Sequence, residues 1–365
     1  MMKTKKCLVS TWVLSATLFL SEWIACGGAP GSVVMWGQCI GDDGITKPAT
    51  GMVHVARIKL SNIVQVASGT SHGLALSQDG HVYGWGSDYS GQATVPSGLS
   101  NIVSICAGHD YSMALKDDGT VVGWGAKPLR KKTPIGPPLD LKDVVAIATG
   151  HMRSSALTKS GRIVSWPMPE KYSVEFSNVV GIASAGDATE RSIAILSDGG
   201  VIGWTPGLEA PDLQPPASLS NVVAAALGWN HSLALKRDGT VFGWGANDYG
   251  QATGVRTKQK SQADIENEAR GLMVINGRVY ADPECRASGL VMIDGQILTN
   301  VVAIAASQVY SMALKGDGNV VVWGHGSRTQ YGVPAGLSGV TAIAAGEYFS
   351  LAITTNAAVA ERFRR

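Results

Sequence analysis

The 365-residue chain carries little charge, and what it carries is balanced. Charged residues make up 16% of the sequence, well below the roughly 25% of an average soluble domain. Lys and Arg number 30 against 28 Asp and Glu. Without an excess of one sign, the chain has no global field that would attract nucleic acid or an anionic membrane surface. The composition therefore argues against a nucleic-acid partner.

Signatures of catalysis and of metal binding are also missing. The sequence contains no HExxH, GxSxG, P-loop or Rossmann fingerprint. Its seven histidines show no ligand spacing, and its five cysteines form no CxxC or Cys/His cluster of the zinc-site kind. We therefore predict that the protein is not an enzyme and has no catalytic residues, no metal site and no cofactor.

A long apolar run occurs at the N-terminus. Residues 8–20 are apolar and follow Lys3, Lys5 and Lys6, a pattern typical of a signal peptide and short for a membrane-spanning helix. Cys26 follows Trp23-Ile24-Ala25 and resembles the acylated cysteine of a bacterial lipoprotein. The sequence predicts a signal peptide over residues 1–25, with Cys26 as a candidate lipidation site.

Three outcomes stay open for this segment: lipidation at Cys26, secretion without a lipid, and an uncleaved anchor. Each predicts an extracytoplasmic protein, either secreted or lipid-anchored at a bacterial envelope, whose membrane contact is limited to the anchor. In an oxidising compartment the sequence also allows a disulfide between Cys39 and Cys285. Cys106 lies in an apolar strand and is predicted to be an inert core residue.

Glycine is abundant, at 45 residues, and much of it belongs to a repeat. One unit has the sequence Asn62-Ile-Val-Gln-Val-Ala-Ser-Gly, His72-Gly-Leu-Ala-Leu, Asp79-Gly80, Val82-Tyr-Gly-Trp85-Gly and Gly91-Gln92. The same pattern recurs in units that start at Asn101, Asp143, Asn178, Asn221 and Asn300, and once more near Gly339. The spacings are 39, 42, 35, 43, 79 and 39 residues. A fixed period of about 40 residues indicates a repeat architecture.

Each unit predicts four short antiparallel strands, the pattern of one blade of a β-propeller. Val-Val-x-Ile-Ala is typical of a buried strand, and Asp-Gly is expected to supply the positive φ angles of a tight turn. A stretch such as residues 91–96 is expected to form an outer edge strand. Seven tryptophans at one place in the repeat are predicted to pack between blades: Trp36, Trp85, Trp124, Trp166, Trp204, Trp244 and Trp323.

The two ends of the chain predict how the ring closes. The C-terminal unit, residues 340–353, supplies only the first two strands of a blade, and residues 32–37 supply the missing tryptophan strand. We therefore predict an all-β, seven-bladed β-propeller over residues 32–365, closed by pairing the N-terminal strand with the C-terminal half-blade. Residues 256–297 depart from the pattern and predict a β-rich insertion within the propeller, with a degenerate eighth blade as the alternative.

These repeats resemble those of the regulator of chromosome condensation family, whose members are seven-bladed propellers. The resemblance rests on the units from Gly91-Gln-Ala-Thr-Val-Pro through Ala107-Gly and Ser112-Met-Ala-Leu to Val121-Val-Gly-Trp-Gly. These are most similar to the secreted bacterial branch of the family, that of the β-lactamase inhibitory protein II propeller. That likeness implies binding of proteins through one face of the ring, whereas fold alone does not fix function.

Strand alternation places two loops of each repeat on one face, which we name the upper rim. They are the two variable residues after Ala-x-Gly and the loop after Gly-Trp-Gly. The candidate binding residues on it are Trp229, Asn230, Tyr348, Glu347, His109, Asp110, His151, Tyr89, Asp88, Tyr249 and Asp248. Trp229, Tyr348, Tyr89 and Tyr249 are the predicted aromatic anchors. Their variation within a repeating scaffold predicts a non-catalytic protein-binding surface, such as an enzyme inhibitor or an envelope interaction module.

Other functions remain as alternatives. Aromatic side chains beside Asp and Asn also suit a carbohydrate-binding or adhesive surface protein. A rim enzyme would rely on His109, Asp110, His151 and Asp187, and guanine-nucleotide exchange would rest on family analogy alone. His72 and His231 share a repeat position with Tyr111, Tyr310 and Phe349, which we interpret as a packing position and not as a chemical site.

Overall fold

The computed structural model describes residues 30–40, 46–55, 58–125, 136–150, 153–166, 172–176, 178–185, 191–204, 214–257, 274–275, 278–279, 286–325 and 332–362. Within these ranges nearly all regular structure is antiparallel β-sheet. One short helix, α1 (Ala357–Arg362), follows the last strand. No helix in these ranges has the length and apolarity that crossing a membrane requires.

Short strands follow one another along the chain. The first ten are β1 (Ser32–Ile40), β2 (Thr46–Met52), β3 (His54–Val55), β4 (Ile58–Lys59), β5 (Ile63–Ser68), β6 (His72–Ser77), β7 (Val82–Gly86), β8 (Ile102–Ala107), β9 (Tyr111–Lys116) and β10 (Val121–Gly125). The next ten are β11 (Val144–Thr149), β12 (Ser154–Thr158), β13 (Arg162–Trp166), β14 (Tyr172–Glu175), β15 (Val179–Ser184), β16 (Ser192–Leu196), β17 (Val201–Trp204), β18 (Val222–Leu227), β19 (His231–Lys236) and β20 (Val241–Ala246). The last ten are β21 (Val274–Ile275), β22 (Arg278–Val279), β23 (Arg286–Leu290), β24 (Met292–Ile293), β25 (Gln296–Ile297), β26 (Val301–Ala306), β27 (Tyr310–Lys315), β28 (Val320–Gly324), β29 (Val340–Ala345) and β30 (Phe349–Thr354).

Seven inner strands form a closed ring. They are β5, β8, β11, β15, β18, β26 and β29; each contacts the next, and β29 contacts β5. Strand β18 touches β26 directly, although 79 residues separate Asn221 from Asn300. No further blade therefore stands between these two, and the ring is a seven-bladed propeller, as predicted.

The ring closes as the sequence predicted. Strand β1 pairs antiparallel with β30, with Trp36 opposite Ser350 and Gly37 opposite Phe349. The last blade therefore has the order β2-β1-β30-β29, which combines both ends of the chain in one sheet. Such closure removes the open edges that a flat sheet would expose.

A left-handed residue precedes every inner strand and explains the repeated asparagine. Asn62, Asn101, Asp143, Asn178, Asn221 and Asn300 have φ between 54° and 65°, and Gly339 takes the same place with φ 63°. Each carbonyl accepts a backbone hydrogen bond from the turn after the second strand, as in Gln78 N–H to Asn62 O at 2.9 Å. Asn and Gly tolerate this backbone region best, which accounts for their recurrence.

The Asp-Gly turns differ from the expectation in one respect. Only the glycine has a positive φ, for example 80° at Gly119 and 77° at Gly239, whereas the preceding aspartate does not. The aspartate instead accepts hydrogen bonds within the turn, as Asp238 does from the Thr240 backbone N–H at 3.0 Å. Both residues are left-handed at Asp294 (φ 50°) and Gly295 (φ 78°), between β24 and β25.

The expected outer strand over residues 91–96 is not a strand. This segment forms bends, and its Ala93 carbonyl comes so close to Gly84 that a Cβ there would lie 2.2 Å from it. Fourth strands are present in three described blades, supplied by β14, β23 and β2. Strand β23, which lies within the predicted insertion 256–297, pairs with the tryptophan strand β20 and so forms part of a blade. Two short hairpins, β21–β22 and β24–β25, also lie within this range.

The seven tryptophans pack between blades, as predicted. Each sits in a hydrophobic cluster with the second strand of the preceding blade: Trp124 with Leu74 and Leu76, and Trp244 with Ile193 and Ile195. The other five belong to five further clusters of the same kind. Six of the rings are at most 8% exposed, and Trp85 is half-buried.

The position shared by His72 and His231 packs at the seam between blades, and it also forms a hydrogen bond. His72 Nε2 lies 2.9 Å from Ser112 Oγ in the next blade, and His231 Nε2 lies 2.8 Å from Ser311 Oγ. Each serine hydroxyl in turn donates to a glutamine backbone carbonyl at 2.8 Å, so each imidazole is the donor to its serine. The expectation of packing alone was therefore incomplete.

Other residues at this seam position also donate hydrogen bonds to the next blade, but to different acceptors. Tyr111 Oη donates to Arg153 O at 2.6 Å, and Tyr310 Oη donates to Gly346 O at 3.0 Å. Arg191 occupies the same place and donates to Ser232 Oγ at 3.1 Å. The repeat thus requires a side chain that is long enough to reach the next blade, and its chemical type can vary.

The tryptophan seams predict a large loss of stability on truncation. Replacing Trp244, which is 2% exposed, with Ala should lower the free energy of unfolding by roughly 3–5 kcal/mol, because a large buried ring leaves a cavity. Urea unfolding followed by circular dichroism measures the change. Trp229→Ala, on the rim, is the matched control and should change the free energy by less than ~1 kcal/mol. Equal losses for both variants would contradict the packing role.

The buried seam histidines predict an acid-sensitive stability. Burial lowers the pKa of His72 from 6.5 to about 4 and that of His231 from 6.5 to about 3. Between pH 6.5 and about 4 the unfolded chain takes up protons that the folded chain excludes, so stability is full above pH 6.5 and falls below it. Each histidine should contribute a slope of about 1.4 kcal/mol per pH unit.

Urea unfolding at pH 7.5, 6 and 5 measures this slope. The variant His72→Gln/His231→Gln should show a shallower decline across this window than the wild type. His54→Gln, which changes an exposed histidine, should leave the decline unaltered. A decline of the same slope in the double variant would show that other groups cause it.

Candidate functional site

In three of the described blades the two rim loops are hydrogen-bonded to each other. Ser87 N–H donates to Ser71 O at 2.9 Å, and Ala246 N–H donates to Asn230 O at 2.7 Å. The same bond recurs from His325 N–H to Val309 O at 2.9 Å. The upper rim therefore consists of an inner and an outer circle of loops that support each other.

A cavity of about 330 Å³ opens at the centre of the upper rim, at the end of the axial channel. Its wall consists of the last, mostly small residues of the inner strands. At its mouth stand His109, Trp229 and Glu347, three of the candidate residues, together with Thr70 and Gln308. All five are the first variable residue after Ala-x-Gly or its equivalent. Thr70 and Gln308 were not among the candidate binding residues, although their repeat position places them on the upper rim.

The second residue of each pair lies one step further from the axis. The Asp110 carboxylate contacts His109, with 2.9 Å between Oδ2 and Nδ1, and both side chains are partly exposed. Asn230 supports the outer loop through its carbonyl. Tyr348 is half-buried and packs against the cluster that contains Phe349 and Leu351. Tyr348 is therefore also a core contact, which limits its use as an anchor.

The loop of Trp229 is held from the neighbouring blade. The guanidinium of Arg191, 3% exposed, donates to Gly228 O at 2.9 Å and to Trp229 O at 2.5 Å. A buried cation bonded to backbone carbonyls fixes the loop more firmly than a neutral donor would. The backbone under Trp229 is consequently set by Arg191, and the indole is partly exposed at the mouth.

Asp88-Tyr89 and Asp248-Tyr249 have the same sequence but occupy different positions in their two outer loops. Gly91-Gln92 and Gly250-Gln251 occupy equivalent places, since Ser90 N–H and Tyr249 N–H each bond to the glutamine two residues on. Tyr89 therefore corresponds to Asp248, and Asp88 to Asn247. Asp88 and Asn247 each accept hydrogen bonds from the two backbone N–H groups five and six residues ahead, at 2.8–3.0 Å.

The carboxylate of Asp88 is thus a loop anchor, since its second oxygen also accepts from Thr94 Oγ1 at 2.5 Å. Tyr89 beside it is 82% exposed, so its ring stands free of the loop core. Tyr249 packs edge-on against His325, with ring centroids 4.4 Å apart, and Arg256 lies over the Tyr249 ring at 5.8 Å. Burial, and secondly Arg256, lower the pKa of His325 below its usual value.

Several predicted residues lie outside the described part of the chain. These are His151 and Asp187 on the rim, Cys26 and the signal segment 1–25, and Cys285 with the side chain of its predicted partner Cys39. The thiol of Cys106 is free and lies along the channel wall, where burial raises its pKa to about 12. Across the described ranges no three His, Cys, Asp or Glu side chains gather as metal ligands would.

Comparison with known proteins gives one family. The model of the regulator of chromosome condensation (RCC1) repeat matches residues 63–92 and 222–251. Protein pim1 of Schizosaccharomyces pombe is 26% identical over 166 residues, which are 42% of this chain and 27% of that protein. The RCC2 homolog of Danio rerio is 33% identical over 95 residues, 23% of this chain and 19% of that protein. The chain thus matches only about a quarter of the length of these relatives.

Solved structures extend the likeness to the whole fold. Yeast RCC1 (Prp20), crystallised bound to Kap60, superposes with a TM-score of 0.63 at 16% identity over 99% of this chain and 98% of that chain. The CRINKLY WD40 ectodomain of the Arabidopsis thaliana receptor kinase ACR4 gives 0.55 at 16% identity, over 80% of this chain and 92% of that chain. At such identities the superposition shows the fold alone.

The matched units at residues 63–92 and 222–251 are two of seven similar units that form the ring. The other five units share the left-handed first residue and the tryptophan of these two. The chain is therefore a β-propeller built from RCC1-type repeats.

Proposed function

We propose that this propeller is a non-catalytic protein-binding module that engages its partner through the inner circle of the upper rim. One observation carries the proposal: five equivalent positions around a single mouth hold Thr70, His109, Trp229, Gln308 and Glu347. Because the fold repeats and these side chains do not, backbone geometry does not dictate them. A rigid mouth with different chemistry around it suits specific recognition of one partner surface.

The character of the mouth favours a protein over a small substrate. It combines an indole, an imidazole–carboxylate pair and a separate carboxylate, all partly exposed and spread over different blades. Trp is the side chain most often found to dominate protein interfaces. Related structures point the same way, since yeast Prp20 was crystallised bound to Kap60 and its binding to Gsp1p and histones was described.

A carbohydrate-binding role is less well supported. Its best feature is Tyr89, an exposed ring beside Asp88. Sugar recognition would need the Asp88 carboxylate to face the ligand, yet both of its oxygens accept bonds from Ala93 and Thr94 in its own loop. The stronger candidate is therefore the inner circle. Guanine-nucleotide exchange rests only on the family likeness and is not proposed for this chain.

The proposed location is outside the cytoplasm, at a bacterial envelope, as a secreted or lipid-anchored protein. The support is the basic and apolar N-terminal segment followed by Cys26. Expression of the full chain and mass spectrometry of the mature N-terminus test this. An N-terminus at Cys26 with added acyl mass would support lipidation, and one elsewhere between residues 20 and 31 would support plain secretion. An intact Met1 in a cytoplasmic fraction would contradict the location.

The proposed role of the upper rim predicts which substitutions weaken binding of the partner. Trp229→Ala should weaken binding of the partner recovered from the native envelope fraction by roughly 30-fold, because central aromatic residues often contribute 2 kcal/mol or more. Glu347→Gln, at the same mouth, should weaken it by a smaller factor. Quantitative pull-down followed by surface plasmon resonance measures both.

Lys159→Gln, at a turn on the opposite face, is the control and should leave binding unchanged. Thermal melting confirms that all variants are folded. Equal affinity of wild type and Trp229→Ala would exclude the inner circle as the contact surface. Loss of binding in Tyr89→Ala alone would transfer the site to the outer loops.

A further inference from the structure

The opposite end of the channel carries a feature that repeats around the ring. Every inner strand contains a β-bulge at its second residue, where the register with the second strand shifts by one. Bulges redirect the side chain of the extra residue. The bulged residues are Val64, Val103, Val145, Val180, Val223, Val302 and Thr341, which we name the valine collar.

The collar is apolar and partly exposed. Val103, Val145 and Val302 are 43%, 42% and 37% exposed. Thr341 shows that a polar side chain fits at this position, and threonine has the same β-branched shape and strand preference as valine. The backbone therefore does not require an apolar residue here. Apolar side chains that recur at the mouth of a cavity, where a polar one would fit, mark a binding surface.

Behind the collar lies a cavity large enough for a small molecule. It has a volume of about 560 Å³, and its wall includes Val64, Ile182, Val223 and Ala303. Ala225 and Ile343 line this cavity and the upper cavity alike, so the two meet within the channel. Small-molecule sites span about 300–1,000 Å³ and have mainly apolar walls.

A second recess of about 480 Å³ opens beside the first and shares Val223 and Val302 with it. Its rim carries two cations, Lys236 and Arg237, and one carboxylate, Asp238. Asp238 is already engaged, by the Thr240 N–H and hydroxyl and by Lys236 at 3.9 Å. Arg237 is exposed and forms no ion pair with any described carboxylate. A cationic group with spare bonding capacity thus stands next to the apolar channel.

We propose that the lower channel binds an amphipathic anion of the fatty-acid type. Its apolar chain would lie against the valine collar and the channel wall, and its anionic group would meet Arg237. The valines supply apolar contact without direction, and the guanidinium supplies a planar, bidentate partner for a carboxylate. This site lies at the opposite end of the channel from the upper rim, so it stands independently of the proposed protein partner.

Dodecanoate tests the proposal, with dodecanol as its uncharged counterpart. Isothermal titration below the micelle concentration should show saturable binding of dodecanoate at one site per chain. Val223→Thr/Val302→Thr should weaken it roughly tenfold, because two methyl contacts are lost. Arg237→Gln should weaken dodecanoate about tenfold and leave dodecanol unchanged, because a charge-assisted bond is removed.

Thr341→Val completes the collar and should strengthen binding about fourfold, which a merely destabilising change could not do. Lys159→Gln, at the same repeat position as Arg237 but on another blade, is the matched control and should change nothing. No saturable binding, or equal affinities for wild type, Val223→Thr/Val302→Thr and Thr341→Val, would overturn the site. Equal loss of dodecanoate and dodecanol binding in Arg237→Gln would overturn the anionic part.

Discussion

The contact between neighbouring blades is the interaction on which the rest of the molecule depends. At a seam, one blade's tryptophan packs on the second strand of the preceding blade. The indole N–H of Trp124 and the hydroxyl of Ser112 both donate to the carbonyl of Gln92, at 3.0 and 2.8 Å. Trp323 and Ser311 make the same two bonds to Gln251. Gln92 and Gln251 belong to the loops that form the outer rim, so the core of one blade fixes the rim loop of another.

This coupling explains how a variable surface coexists with a repeating scaffold. The backbones of the loops that carry Tyr89 and Trp229 are held by bonds that do not involve these two side chains, namely those of the Gln92 carbonyl and the Arg191 guanidinium. Substitutions of Tyr89 or Trp229 therefore leave the loop conformation intact. Recognition chemistry can change at positions such as His109 and Trp229 without loss of the ring.

The sequence predicted features that recur in every repeat, and it failed where contacts within one outer loop or across a seam decide the structure. The repeat length, the ring closure through Trp36 and the positive φ at Gly119 follow from patterns within one unit. Bends replace the expected edge strand at residues 91–96, where the Ala93 carbonyl approaches Gly84. The register of Tyr89 against Asp248 follows from which loop residue bonds to Gln92 or Gln251. Such contacts within the outer loops leave no periodicity in the sequence.

The seam between the last blade and the first, where the chain ends meet, is held by a different set of contacts. Phe349 holds the seam position there and cannot donate a hydrogen bond, and the next blade has Gly73 where the other six have serine. A Cβ on Gly73 would lie 2.4 Å from the Trp85 ring, so no serine fits. Two backbone bonds between Gly31 and Ile63, each 3.0 Å, connect the blades instead.

The two ends of the channel differ in a way that matches two kinds of ligand. The upper mouth presents different side chains at equivalent positions, and such asymmetry allows a large partner to bind in only one orientation. The valine collar is nearly the same in all seven blades, and a symmetric apolar ring cannot select an orientation about the axis. A flexible apolar chain needs no such selection, and Arg237 on one side of the ring orients its charged end. The same repeat therefore yields a discriminating face and a permissive one, because the tips of the upper loops differ between blades whereas the bulged residues of the inner strands are nearly constant.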